Sequence, residues 1–375
     1  MELAEEEKEQ CEVTSSRKET RSAYLEWAKL RSAAKYNLAT SGLDGYPLAK
    51  LPVKIEDLEI SVGGSYGYPP LQERLARRST VAPECVVAAN GTSMANHLAM
   101  AGLIEPGDEV LIEEPTYEPL LTVAEYLGAS VRRFRRRFED GFAVDPREVE
   151  RQITPRTRVV VITNLHNPSG ARTADDRLRL IGEIAQSRNA HVLVDEVYLE
   201  ACFDAPARSA FHLGSNFVVT SSLTKAFGLS GLRCGWVLAP APLAERMWRI
   251  NDLYGVIPAH VAELLSVIAL DHLQEIEEYA RTRLQTNRTI LQQFIASRKD
   301  LRAIRTDAGT TAFPRLASGK VDALCQLLRE KYETSVVPGR FFEMPNHFRV
   351  GIGGRTELLE EGLKRLGKAL DEIAG

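Results

Sequence analysis

The segment SSLTKAFGLSGLRCGW, residues 221–236, follows an apolar stretch and decides how the rest of the chain is interpreted. Lys225 stands a few residues past that stretch and is followed by glycine and serine. The pattern therefore predicts a lysine on the loop that leaves a strand. Open α/β sheets bind their ligands at such strand ends. For a lysine taken alone, a solvated position on a surface loop is more common than a ligand-binding one. The surrounding sequence therefore has to distinguish a surface lysine from a lysine in a binding site.

On both sides of this segment, short runs rich in Val, Ile and Leu alternate with longer segments of helical period. Between about residues 85 and 240 the runs are CVVAA, EVLIEE, RVVVITN, HVLVDEV, NFVVTSSL and GWVLA. This alternation predicts an α/β fold with a mostly parallel sheet covered by helices. A crossover helix is expected from Thr173, which has the position of a helix cap. The basic run RRFRRRF, from Arg132, predicts a solvated strand edge.

The length of the chain and the change in its sequence pattern along the chain predict more than one domain. A chain of 375 residues is long enough for a large domain and a smaller one. We expect a charged segment over residues 1–35, helical or partly disordered and carrying little functional information. Residues 36–270 are predicted to form the large domain. Residues 271–375, with part of the N-terminal segment, are predicted to form the small one.

Composition argues against several classes of protein. A formal net charge of −4 does not suggest a nucleic-acid binder. The start of the chain is acidic where a secretory signal would be basic, and no apolar run reaches the length of a membrane span. The cysteines are scattered and form no CxxC pair, which favours reduced thiols over a disulfide framework or a zinc site. They are Cys11, Cys85, Cys202, Cys234 and Cys325. We therefore expect a cytoplasmic protein that binds no metal, nucleic acid or membrane.

Four further segments accompany the lysine segment. They are NGTS from Asn90, PTY from Pro115, NPSG from Asn167 and DEVY from Asp195. Together with Ser-x-x-Lys followed by Gly-x-Arg-x-Gly at residues 222–235, they resemble the motifs of class I and II aminotransferases, in the same order. Each tetrapeptide is weak evidence, but five in order are strong. The resemblance extends from about Tyr36 to the end of the chain.

The resemblance implies a fold and an activity. The fold is the pyridoxal 5′-phosphate (PLP)-dependent transferase fold of type I. It has a large domain with a mostly parallel, seven-stranded sheet between helices, and a smaller α/β domain. The implied activity is transfer of an amino group between an L-amino acid and a 2-oxo acid, in a homodimer with the active site near the interface. The same scaffold hosts PLP-dependent lyases, decarboxylases and synthases, which stay as alternatives. A PLP-sensing regulatory domain would need an added DNA-binding module, for which about 35 preceding residues are too few.

The resemblance also assigns residues to the ring of the cofactor. Lys225 would carry PLP as a Schiff base and, once released by substrate, act as general base. Asp195 would keep the ring nitrogen protonated, although a strand-end cap is an alternative. Tyr198 and Asn167 would contact the phenolic oxygen, although a core tyrosine and an Asn-Pro turn are alternatives. Tyr117 would stack on the ring unless it is a core residue.

The phosphate and the substrate are assigned in the same way. Thr92 and Ser93, with Gly91 before them, would bind the phosphate at a helix N-terminus, but Thr92 or Ser93 could equally be a helix cap. The resemblance adds further residues in three groups. Ser222 and Arg233 would bind the phosphate; Tyr66, or Tyr68 in its place, would reach it from the other subunit of a dimer; and Arg349, Asn167 and Gly42 would contact the substrate. For Arg349 a solvated strand edge is an alternative. Near His166 the sequence departs from many relatives, which carry Pro or Ser there, so His166 contacts substrate or is a satisfied loop histidine.

Overall fold

The structure, a computed structural model, describes residues 20–61, 63, 65–203 and 208–374. Its strands are β1 (Tyr36–Asn37), β2 (Val86–Asn90), β3 (Glu109–Glu114), β4 (Ser130–Arg135), β5 (Thr157–Thr163), β6 (His191–Asp195), β7 (Phe217–Ser222), β8 (Cys234–Leu238), β9 (Leu301–Arg302), β10 (Thr311–Ala312), β11 (Arg315–Leu316), β12 (Thr334–Ser335), β13 (Val337–Pro338) and β14 (Phe348–Gly351). Its α-helices are α1 (Ala23–Leu30), α2 (Pro69–Ser79), α3 (Gly91–Leu103), α4 (Glu118–Tyr126), α5 (Pro146–Gln152), α6 (Asp175–Gln186), α7 (Ala241–Asn251), α8 (His260–Asp271), α9 (Leu273–Ala296), α10 (Val321–Tyr332) and α11 (Thr356–Ala374).

The central sheet has seven strands in the order β2-β8-β7-β6-β5-β3-β4. Strands β7, β6, β5, β3 and β4 are mutually parallel, and β8 runs antiparallel to both of its neighbours. The six apolar runs are strands β2, β3, β5, β6, β7 and β8, so the predicted α/β fold with a mostly parallel sheet is confirmed. Helices cover both faces, and this is why the central strands read as continuous apolar runs rather than as alternating ones.

Two local predictions need correction. The basic run does form the edge strand β4, but Arg136, directly after it, is fully buried instead of solvated. Helix α6 begins at Asp175 with Ala174 as its N-cap, so Thr173 is not the cap. The Thr173 hydroxyl instead accepts a hydrogen bond from Arg136 Nη2 at 3.3 Å. In both cases a buried partner far away in sequence decides the role of the residue.

The C-terminal part contains α9, α10 and α11 with three small sheets, in the orders β10-β14-β13, β11-β9 and β1-β12. Strand β1 pairs in parallel with β12, which joins residues 36–37 to this part of the chain. The domain boundaries at residues 35/36 and 270/271 stay predictions. Within the described ranges, no helix combines the length and the hydrophobicity needed to cross a bilayer.

Candidate active site

One cavity opens where β5, β6 and β7 end. Because these neighbouring strands are parallel, their carboxyl ends meet at one edge of the sheet. The loops that follow them bring Asn167, Asp195 and Lys225 to the same cavity. The predicted residues that line it are Thr92, Ser93, Tyr117, Asn167, Asp195, Tyr198, Ser222, Lys225 and Arg233.

Lys225 follows β7 on a turn and is partly buried. Its Nζ donates a hydrogen bond to Ser41 Oγ at 3.0 Å. Burial lowers the pKa of Lys225, because removal from water disfavours the charged ammonium. An amine with a lowered pKa is neutral more often near pH 7, which makes it a better nucleophile and base.

Asp195, the last residue of β6, is buried and forms no ion pair within 4 Å among the described residues. It accepts hydrogen bonds from Asn96 Nδ2 at 2.8 Å and from the Val197 amide at 3.0 Å. Burial raises the pKa of Asp195 to about 6 despite these bonds. A buried carboxylate without a counter-ion favours a ligand that brings positive charge next to it.

The first turn of α3 forms one end of the cavity. Its N-cap is Asn90, so neither Thr92 nor Ser93 has the role of a helix cap. The hydroxyl of Thr92 is buried and unpartnered among the described groups, as is that of Thr224 on the facing loop. Free backbone N–H groups at a helix N-terminus together with uncommitted hydroxyls are donors for an anion.

Arg233 adds a cation to this end of the cavity. Its Nη2 donates to Asn90 O at 3.1 Å, so the guanidinium lies across the start of α3. Gly91 has a φ of +74°, and a Cβ there would lie 2.2 Å from Arg233 Nη2. Only glycine allows this close approach. Ser222, fully buried at the end of β7, lines the same end.

Arg349, on β14, is fully buried and is not a solvated edge residue. Its Nη1 donates to Asn167 Oδ1 at 2.9 Å, and its Nη2 donates to the Tyr24 hydroxyl at 2.7 Å and to Ala39 O at 3.2 Å. No carboxylate of the described chain pairs with it. Because the Asn167 side-chain oxygen is taken by Arg349, its amide nitrogen is left to donate to a ligand.

Tyr117 and Tyr198 are the aromatic side chains predicted for the ring. Both line the cavity, and burial raises the pKa of each phenol. A hydrogen bond with Ser41 acts in the opposite direction on Tyr198. Both phenols therefore stay protonated near pH 7 and can donate a hydrogen bond.

His166 is buried and does not line the cavity, so the loop-histidine interpretation is the right one. Its Nε2 lies 2.9 Å from Pro115 O and its Nδ1 lies 2.6 Å from Ser169 Oγ. Burial lowers the pKa of His166 well below its usual value, so the ring is neutral. It connects the loop that carries Tyr117 to the turn that carries Asn167.

Besides His166, five predicted site residues do not line the cavity: Gly42, Tyr66, Tyr68, Gly91 and Arg349. Gly42 packs against Lys225, since a Cβ on it would lie 3.2 Å from Lys225 Cδ. Tyr66 is exposed, and its hydroxyl donates to Asp252 Oδ2 at 3.1 Å. The ring of Tyr68 meets His260 edge-on. The role of Tyr66 or Tyr68 across a subunit interface stays a prediction.

A buried ion pair behind the cavity was missed by sequence reasoning. Arg136 Nη1 and Glu113 Oε2 lie 2.7 Å apart with both side chains fully buried. Glu113 also accepts hydrogen bonds from the backbone amide and the hydroxyl of Thr163. The Thr163 hydroxyl in turn accepts from the Asn167 amide at 3.0 Å. The pair therefore supports the backbone of the turn that presents Asn167 to the cavity.

The contribution of helix α1 to the cavity was missed as well, because the charged N-terminal segment, expected to be helical or partly disordered, was expected to carry little functional information. Tyr24, Leu25, Trp27 and Ala28 of this helix line the cavity. The available signal was local: Ser22 is a good N-cap, and Tyr24 and Trp27 are three residues apart on one helical face. Ser41 and Asn96, which contact Lys225 and Asp195, had no comparable signal.

These groups fit PLP. Asp195 matches a protonated ring nitrogen, because it is a buried carboxylate that lacks a cation. The helix start, the unpartnered hydroxyls and Arg233 match a phosphate dianion. Lys225 can form a Schiff base with the aldehyde of PLP, because its side-chain amine is neutral more often than the amine of a solvated lysine.

Comparison with known protein families agrees with this fit. The sequence model for aminotransferase class I and II matches residues 59–366. The chain is 32% identical over 352 residues to capreomycidine synthase of Streptomyces vinaceus, covering 90% of each sequence. It is 30% identical over 316 residues to arginine–pyruvate transaminase of Pseudomonas aeruginosa, covering 81% of this chain and 80% of that one.

Solved structures of PLP-dependent enzymes are also similar to this chain. A PLP-dependent aminotransferase from Streptococcus suis superposes with a TM-score of 0.89 at 30% identity, over 94% of this chain and 98% of that one. The PLP-dependent cyclase OrfR superposes with a TM-score of 0.86 at 25% identity, over 96% of this chain and 99% of that one.

Proposed function

The chain belongs to the class I and II aminotransferases, and from this premise we propose which of its residues perform the reaction. The protein is a PLP-dependent transaminase that moves an amino group between an amino acid and a 2-oxo acid. The bound cofactor supplies an electron sink for the negative charge that develops on the substrate α-carbon. The assignment rests above all on one observation: Lys225, with a lowered pKa, and Asp195, without a counter-ion, line the same cavity.

In this proposal Lys225 binds the cofactor covalently and later moves a proton. Its neutral Nζ would hold the cofactor through the aldehyde group, and the same atom would accept the proton at the substrate α-carbon. Ser41 Oγ, 3.0 Å from Nζ, fixes the position of the amine in the cavity. The lowered pKa of Lys225 keeps a useful fraction of the amine unprotonated.

Asp195 is proposed to hold a proton on the ring nitrogen by supplying the opposite charge. Its hydrogen bonds from Asn96 and Val197 orient the carboxylate. Tyr198 and the amide nitrogen of Asn167 are proposed to donate to the phenolic oxygen. Tyr117 is proposed to pack on the ring.

The remaining cofactor contacts are proposed at the start of α3. Thr92, Ser93, Ser222 and Arg233 are proposed to bind the phosphate, with Gly91 leaving room for the guanidinium. The support is the unpartnered hydroxyl of Thr92 and the contact between Arg233 and the helix start.

For the substrate, we propose that Arg349 and Asn167 bind the α-carboxylate and that Gly42 faces the substrate with its backbone. Support for a monocarboxylic amino donor comes from the cavity lining. Arg349 does not line the cavity itself but bonds Asn167 and Tyr24, which do. The described lysine and arginine residues of the lining are Lys225 and Arg233, and both are assigned to the cofactor. A second carboxylate on the substrate would therefore lack a matching cation.

We also propose a cytoplasmic homodimer. Exposed apolar side chains in residues 48–60 and in residues 253–256, which follow the Asp252 that bonds Tyr66, support an interface, because large apolar groups on a surface favour burial by a partner. They are Leu48, Ile55, Ile60, Leu253, Tyr254 and Val256. Tyr66 would reach the cofactor phosphate of the other subunit.

The test of the lysine assignment is borohydride reduction. The wild-type enzyme should keep the cofactor covalently after reduction, on the peptide that contains Lys225, because reduction converts the carbon–nitrogen double bond into a stable amine. Lys225→Ala should keep none, and Lys331→Ala, an exposed lysine paired with Glu372, should behave as the wild type. A reducible adduct in Lys225→Ala would remove this lysine from the role.

A screen of amino acids in single half-reactions tests the activity itself. Conversion to the pyridoxamine form is followed by absorbance, and neutral donors should outperform aspartate. Fast conversion with aspartate and none with neutral donors would contradict the monocarboxylic assignment.

A second candidate function is a PLP-dependent synthase, lyase or decarboxylase. The observation that favours it is the 32% identity to capreomycidine synthase, together with the fold similarity to the cyclase OrfR. The two functions differ in where the amino group goes. Transamination delivers it to a 2-oxo acid in equal amount, whereas the alternatives release ammonia or carbon dioxide or retain the amino group in the product.

A further inference from the structure

The guanidinium of Arg349 lies in an unusual environment for a buried cation. The side chain has no exposed surface, and the described chain offers it no carboxylate. Its neighbours are neutral: Asn167, Tyr24, Ala39 and the ring of Phe342, whose centroid is 5.1 Å away. In addition, Arg349 Nε is buried and lacks a hydrogen-bond partner among the described residues. A buried charge with an uncommitted donor has capacity for one anionic ligand.

The Tyr24 hydroxyl lies at the same place. It accepts a hydrogen bond from Arg349 Nη2 at 2.7 Å. A phenol that accepts still has its own hydrogen to donate, and no acceptor for that hydrogen exists among the described residues. Tyr24 lines the cavity together with Lys225, whereas Arg349 does not, so Tyr24 contacts both the cavity and the guanidinium.

The position of Tyr24 is fixed by its helix. The carboxylate of Glu118, directly after Tyr117, accepts hydrogen bonds from the Ser22 hydroxyl at 2.6 Å, the Ala23 amide at 3.0 Å and the Tyr24 amide at 2.7 Å. A negative charge at the first turn of α1 also matches the helix dipole. The Tyr24 ring meets the Tyr117 ring edge-on, with centroids 5.7 Å apart. The hydroxyl is therefore held in place before any ligand arrives.

We propose that Tyr24 is a substrate-binding residue whose hydroxyl donates a hydrogen bond to the α-carboxylate that Arg349 binds. The proposal rests on the function proposed above, in which Arg349 holds this carboxylate. Through Tyr24, helix α1 contributes to the selectivity of the enzyme for amino acids over amines. An amine without a carboxylate gains nothing from this donor.

The test compares two ligands that differ only in the carboxylate. 2-Methylalanine has no α-hydrogen and cannot be transaminated, and isopropylamine is the same molecule with hydrogen in place of the carboxylate. Dissociation constants are measured with the PLP-loaded enzyme, from the change in cofactor absorbance. In Tyr24→Phe, the dissociation constant of 2-methylalanine should rise about tenfold or more, since a hydrogen bond to a charged group is of that order. The constant for isopropylamine should not change.

Tyr332→Phe is the matched control, because it also removes a hydroxyl with a 2.7 Å hydrogen bond, to Glu372 on the surface. It should bind both ligands as the wild type does. The proposal is overturned if Tyr24→Phe binds 2-methylalanine normally. It is equally overturned if both ligands weaken by the same factor, or if the variant loses PLP, since either result means a structural role. The constant for 2-methylalanine is measured without any transamination, because this ligand has no α-hydrogen. A wild-type enzyme that shows the expected selectivity but never reaches the pyridoxamine form would refute the proposed function and not the role of Tyr24.

Discussion

The buried pair of Glu113 and Arg136 allows a prediction with a magnitude. Glu113→Gln replaces a charged acceptor by a neutral amide and leaves Arg136 as an uncompensated cation in the interior. Removing one partner of a fully buried ion pair costs about 3–5 kcal/mol. Both side chains are fully buried, so solvent screening does not reduce this value. At about 1.4 kcal/mol per factor of ten, the ratio of folded to unfolded protein should fall by a factor of about a hundred to a few thousand.

The assay is a double-mutant cycle on the free energy of unfolding, measured by urea denaturation with the cofactor present. Glu113→Gln and Arg136→Met should each be strongly destabilising. The double variant should be less destabilised than the sum of the two, because it buries no lone charge. Since Glu113 also supports Thr163 and the Asn167 amide, the absorbance of the bound cofactor should change in both single variants. Strict additivity of the two free energies would refute the reasoning, as it would mean that the charges do not interact.

Two further predictions concern the cofactor site. Gly91→Ala should weaken PLP binding by about tenfold or more, because the new Cβ would lie 2.2 Å from Arg233 Nη2 at a φ of +74°. The control is Gly231→Ala, where a Cβ meets nothing within 4 Å. Equal PLP affinities of the two variants in equilibrium titrations would contradict the packing argument. For Asp195, burial raises the pKa in the folded, ligand-free protein to about 6, above its unfolded value, so its contribution to stability is present at low pH and is lost as pH rises through 6. Relative to Asp195→Asn, the ligand-free wild type should therefore lose about 2 kcal/mol of unfolding free energy between pH 4 and pH 8. A difference between the two proteins that does not vary with pH would show that the carboxylate is not buried as described.

Local sequence determined the central sheet and the positions along it that carry chemistry. Runs such as RVVVITN and HVLVDEV are strands because β-branched residues buried on both faces have few other stable arrangements. Asp195 ends one such strand, and Asn167 and Lys225 lie a few residues past the ends of two others. Parallel neighbours then bring their strand ends to one edge, so these residues had to meet once the sheet formed.

The tertiary structure alone decided which distant side chains complete the site. Arg136 belongs to a run that looked solvated, and its burial depends on Glu113, 23 residues earlier. Tyr24 and Arg349 are separated by 325 residues, and no local pattern in either segment predicts that the two side chains contact each other. The physical reason is that a short sequence encodes backbone preference and the face that is buried, whereas the partner of a buried charge or hydroxyl depends on how separate elements pack together.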